Sequence, residues 1–112
     1  MDALFPRPSL AKPLFLLACL VSGTAGAADA ASAAQLAKAR NCMTCHLADS
    51  PLMGPSFKEI AGRYRGQPDS EASVVQRVMK GSKGVWGSVP MPSNNQVSEE
   101  EARILVKWIL AR

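Results

Sequence analysis

"CMTCH", residues 42–46, decides how the rest of the chain is read. Two cysteines stand three positions apart, and the only histidine of the 112-residue chain follows directly. Cysteines at this spacing lie on neighbouring points of one helical turn, so both sulfurs reach the same ligand. The C-x-x-C-H pattern is an attachment signature for c-type haem. Each thiol adds to one vinyl group, and the adjacent histidine sits beneath the iron and offers it an imidazole nitrogen. Two rival readings fail on inventory. A structural zinc site takes four Cys/His ligands, and beyond the leader only Cys42, Cys45 and His46 are available. A thioredoxin-like redox pair wants a βαβ setting, and no segment alternates like a strand.

The residues before the motif divide in two. "MDALFPRPSLAKP" carries Arg7 and Lys12, "LFLLACLV" is a short apolar run, and Ala25-Gly26-Ala27 fits a cleavage site. This order predicts a secretory leader over 1–27 and a mature domain over 28–112. A membrane anchor needs about 20 apolar residues, more than the run at 14–21 supplies. Leu16-Leu17-Ala18-Cys19 offers a variant, a lipid-bearing cysteine, although five residues after Pro13 make a short hydrophobic region. Cleavage after Ala27 leaves about 85 residues, a size that needs a disulfide, metal or cofactor to complete its core.

Charge excludes more than it identifies. The chain has 13 Lys+Arg and 9 Asp+Glu. Arg7, Lys12 and Asp2 fall in the leader, leaving 11 and 8, a net of +3 for the mature part. These charges are scattered and aromatics are few, so there is no nucleic-acid footprint, while a mildly basic face steers a protein partner.

Downstream patterning is helical. "ADAASAAQLAKAR" (28–40) predicts a helix running into Cys42. "SFKEIAGRY" predicts a second from Ser56 to Tyr64, stopped by Gly66. A third follows Asp69 or Ser70, with Val74, Val75, Val78 and Met79 as its stripe and Gly81 as its stop. Ser98 and Glu101 form a capping box for the last, whose apolar positions are Ala102, Leu105, Trp108 and Ile109. Trp108 is expected to pack on the N-terminal helix. Residues 81–97 form a loop long enough to suggest function. The fold class expected is all-α, about four helices wrapped around one covalently attached haem.

One histidine cannot supply two axial ligands, so the sixth iron position is open or taken by methionine or lysine. Met1 leaves with the leader and Met43 is locked inside the motif. Met53 lies too near His46 to cross the ring, and Met79 belongs to a core stripe. Met91 is 45 residues beyond His46 and sits between Pro90 and Pro92, which restrict the backbone and present its thioether ready to bind. Met91 is the expected second ligand.

"NCMTCHLADSPLMGPSFKEIAGRY", "VMKGSKGVWGSVPMPSNN" and "VSEEEARILVKWIL" together resemble the short class I bacterial cytochromes c, of the cytochrome c-551 type. The likeness covers residues 36–112. It implies a periplasmic, monomeric one-electron carrier that docks transiently with redox partner proteins, nitrite reductase being a typical acceptor in denitrifying bacteria. It implies thioether bonds at Cys42 and Cys45, with His46 and Met91 on iron. Pro55 matches the proline whose carbonyl accepts the histidine's other N–H. Arg77 and Trp86 match positions that hydrogen-bond a haem propionate. The sequence departs from the family at "PSNNQVS", which has Ser93 and one residue more than usual; Asn94 is the amide expected near the methionine sulfur. With both axial places filled, the iron passes electrons and turns over no substrate. The expected docking edge comprises Met43, Val85, Val89 and Pro90, with Lys38, Lys80 and Lys83 nearby. The competing class is a haem sensor or small haem enzyme in which Met91 dissociates.

Overall fold

A computed structural model describes residues 25–112. Cys19 and all but the last three residues of the expected leader lie outside the described residues. The order is α1 (Ala25–Ala39), a 3-10 turn (Cys42–Thr44), α2 (Phe57–Tyr64), α3 (Ser70–Lys80) and α4 (Glu99–Leu110). Among the described residues there is no strand, and two isolated bridges pair His46 with Pro51 and Ser82 with Met91. The all-α expectation holds. No helix among the described residues is long and apolar enough to cross a membrane.

Each helix begins and buries where its side chains dictate. Ser98 accepts from the Glu101 amide at 3.1 Å, and Glu101 returns a bond to the Ser98 amide at 3.0 Å, as expected. Ser56 and Glu59 form an identical box at the start of α2, unnoticed in the sequence although "SFKE" carries the pattern. The buried sets Phe57, Ile60, Ala61, Tyr64 on α2 and Ala102, Leu105, Val106, Ile109 on α4 follow the i, i+3, i+4, i+7 spacing of one helical face. α4 packs on α1, α2 and α3. Ala33 and Ala37 of α1 are buried, and their small side chains let the α1 backbone come close. Arg40 pairs with Glu101 at 2.5 Å and fastens the end of α1 to the start of α4.

Two expectations need correction. α1 stops at Ala39 instead of running into Cys42, because Asn41 takes a left-handed conformation (φ 63°, ψ 18°). Asp69, one of the two expected N-caps, does open α3, from a similar left-handed conformation (φ 57°) and with no side-chain capping bond. Trp108 meets α2 through the Phe57 ring, edge-on at 5.2 Å; the positive edge of one ring against the face of the other is an attraction that the buried alanines of α1 do not offer.

Candidate haem centre

The proximal side is assembled from contacts close in sequence. After Asn41, the Cys45 and His46 amides both donate to the Cys42 carbonyl, at 3.2 and 3.0 Å. This tight turn, instead of an α-helical one, carries the C-x-x-C pair. Cys42 and Cys45 are free thiols, both half-buried, and burial pushes the Cys42 thiol above its ordinary value. His46 Nδ1 lies 2.7 Å from the Pro55 carbonyl. A carbonyl only accepts, so Nδ1 carries the proton and Nε2 keeps a bare lone pair. Phe57 stacks on the imidazole at 5.7 Å and 22°. Behind the ring, a Cβ on Gly54 would stand 2.8 Å from His46 Cε1, so glycine is needed for the close approach.

The distal side is a loop closed at its base. Ser82 and Met91 exchange two backbone hydrogen bonds, each 2.9 Å. Gly81 makes that possible. Its φ is +75°, and a Cβ there would lie 2.5 Å from the Met91 carbonyl oxygen. Asn94 donates from Nδ2 to the Val78 carbonyl at 3.0 Å and to the Pro92 carbonyl at 3.4 Å. Asn94 is therefore next to Met91 as expected, but both its N–H groups brace backbone and, among the described residues, it makes no bond to the sulfur. Gln96 continues the brace, donating to Asn94 Oδ1 and to the Arg40 carbonyl.

Between the two sides lies an open cavity lined by Cys42, Cys45, His46, Pro55 and Met91 together with Phe57, Ile60, Tyr64, Val74, Leu105 and Ile109. The last six also belong to the hydrophobic core, so the core is continuous with the cavity wall. These residues fit a haem c: two unpaired thiols, an imidazole with its Nε2 free and its tautomer fixed, a thioether, and apolar walls. Arg77 and Trp86 line the same cavity. Arg77 donates to the Tyr64 hydroxyl at 2.7 Å, and Trp86 is 38% exposed. Val85, Val89 and Pro90 line the cavity mouth, and Lys80 and Lys83 flank the outer side of the Met91 loop. Met43 departs from expectation: it is half-buried against the core instead of lining the mouth.

The cytochrome c family profile matches residues 30–112. The chain belongs to the cytochrome c family. Cytochrome c-551 of Pseudomonas aeruginosa is 43% identical over 103 residues, covering 90% of this chain and 98% of its own. Cytochrome c-552 of Hydrogenobacter thermophilus is 42% identical over 97 residues, covering 87% and 95%. The crystal structure of wild-type Nitrosomonas europaea cytochrome c552 superposes with a TM-score of 0.67 at 42% identity, covering 69% of this chain and 95% of that one. The cytochrome carries one covalently attached haem c with its iron and is a monohaem electron carrier that meets redox partners.

Several residues of this cytochrome's site escaped the reading of its sequence. Gly54 and Gly81 act through close approaches that only the folded chain creates. Phe57, placed by the Ser56–Glu59 box at the first turn of α2, was findable from "SFKE". Tyr64, which lines the cavity, carried no signal beyond its helical spacing.

Proposed function

We propose that this cytochrome is an exported, periplasmic one-electron carrier, its haem held through Cys42 and Cys45 and its iron bound by His46 and Met91. The observation that carries this reading is the pairing of an imidazole with a free Nε2 and a loop-borne thioether in one apolar cavity. When bound, the haem supplies a single iron centre that takes up and returns one electron. Pro55 holds the Nδ1 proton of His46, fixing the ring's tautomer and orientation. Met91 offers a thioether, which raises the reduction potential, as do the apolar walls that keep water away. Arg77 and Trp86 supply donors for the propionates at the rim. With His46 and Met91 both holding the iron, no coordination place would remain for a substrate, and the protein would pass electrons without turnover.

The leader over 1–27 directs export, and the mature protein acts as a monomer. It serves a respiratory chain in which a nitrite reductase is the typical acceptor, meeting partners through the Val85, Val89 and Pro90 edge. Lys38, Lys80 and Lys83 steer that encounter. Reversing their charge is expected to change the association rate and its salt dependence more than the potential.

The test is the visible spectrum of the periplasmic protein, oxidised and reduced, beside its pyridine haemochrome. A c-type haemochrome with the weak far-red band of ferric thioether ligation, lost in Met91→Ala, supports the His46/Met91 carrier. Absence of that band in the wild type would open the sixth position and put the sensor or enzyme reading first.

A further inference from the structure

The Ser82–Met91 bridge closes a loop whose eight inner residues, 83–90, are held by very little. Gly84 and Gly87 both take positive φ, +69° and +102°, and bracket a short flap containing Val85 and Trp86. Both flap residues line the haem cavity. Among the described residues, one hydrogen bond ties 83–90 to another element, and it comes from Arg63 on α2. Its Nη1 donates to the Val85 carbonyl at 2.8 Å. Its guanidinium carbon also lies 4.6 Å from the centre of the Trp86 ring, with Tyr64 edge-on to the indole at 6.4 Å.

We propose that Arg63 is a positioning residue that latches the Val85–Trp86 flap against the haem cavity. A planar guanidinium bonds in its plane while its face covers a ring, so one side chain holds the carbonyl and the indole together. A lysine ammonium keeps the charge and has no flat face to stack on the indole. Losing an exposed stack and one hydrogen bond raises the fraction of open flap roughly tenfold. The inference rests on the haem occupying this cavity, and it deepens the reading of Trp86 as a haem-edge donor.

The experiment uses the reduced holoprotein with its haem attached, as wild type, Arg63→Lys, Arg63→Gln and Trp86→Phe. Backbone order parameters across Val85–Gly87 and the Trp86 indole N–H resonance are followed by NMR, with α4 as internal reference. Both Arg63 variants are expected to lower the flap order parameters and to shift the indole resonance, while α4 stays as in wild type. Arg63→Lys behaving as wild type would reduce Arg63 to its charge and overturn the latch. So would a flap unaffected in both variants, or a parallel fall across α4, which would mean general loosening. Trp86→Phe separates the two readings: if its reduction potential and propionate resonances match wild type, Trp86 is no haem donor, yet the Val85 bond still predicts a looser flap in the Arg63 variants.

Discussion

The two sides of the cavity are built by different means. On the proximal side His46 is gripped by side chain and backbone at once: the Pro55 carbonyl, the Phe57 ring and the closely packed Gly54 all lie within 11 positions of it. On the distal side Met91 is held only through the backbone of its loop, by Ser82, Gly81 and the Asn94 side-chain brace. The loop above it is exposed, Val89 to 55%. A grip made of local contacts fixes a ring in one tautomer and one plane. A loop pinned at its base lets a flexible thioether settle while keeping its backbone in register. The difference suits the proposed ligands: an imidazole binds well in one orientation, and a thioether tolerates several.

Gly81→Ala strikes the distal side hardest. The added Cβ meets the Met91 carbonyl, and the positive φ penalises any side chain, so about 3 kcal/mol of stability is expected to go. Denaturant unfolding of the holoprotein measures it, and the far-red band should fade while the haem remains attached. A variant with full stability and an intact band would show that Met91 does not depend on its loop base. Gly54→Ala is the proximal counterpart, expected to cost about 2 kcal/mol because the ring in its way is rigid. It should displace the His46 imidazole and leave the Met91 loop's amide exchange as it was; loosening on both sides together would dissolve the contrast.

Ser56→Ala and Asn94→Ala come next, each worth about 1 kcal/mol, one a buried helix cap and the other a brace between α3 and the Met91 loop. Their sites of action distinguish them. Exchange should rise at the start of α2 in the first and around Ser82–Met91 in the second.

Acid has the smallest effect. Glu59 is held below the ordinary carboxylate value of 4.5 chiefly by the Ser56 amide, and Glu101 chiefly by Arg40. Each carboxyl titrates lower folded than unfolded, so its contribution is present above the unfolded value and is lost as pH falls through the folded one. Stability should be flat down to about pH 5 and decline below it. Glu59→Gln and Glu101→Gln should flatten that decline, in urea titrations repeated across pH.

Proximal residues were also the easier to read from sequence. Cys42, Cys45, His46 and the start of α4 follow from spacing and capping rules that need no knowledge of the fold. Met91 followed by elimination among five methionines, because the alternatives were tethered too near the motif or lay in a core stripe. Pro55, Arg77 and Trp86 came only through family likeness. What stayed hidden depends on approaches between elements distant in sequence. Gly81 was legible as a helix stop, but nothing in "MKGS" says that a carbonyl ten residues on would press against it. Arg63 reads as an ordinary exposed charge until α2 and the 83–90 loop are seen together. Asn94 was placed in the right neighbourhood, but its bonds to the carbonyls of Val78 and Pro92 could not be read from the sequence.

Asn41 bears on how the attachment motif could be transplanted. The chain leaves α1, reverses through one left-handed residue and then tightens around Cys42, so the five letters of C-x-x-C-H do not specify their own approach. A graft of Cys42–His46 into the middle of an arbitrary helix would point the two sulfurs along a different path. The portable unit is six residues, Asn41–His46, and its first position admits glycine, asparagine or aspartate far more readily than a β-branched side chain.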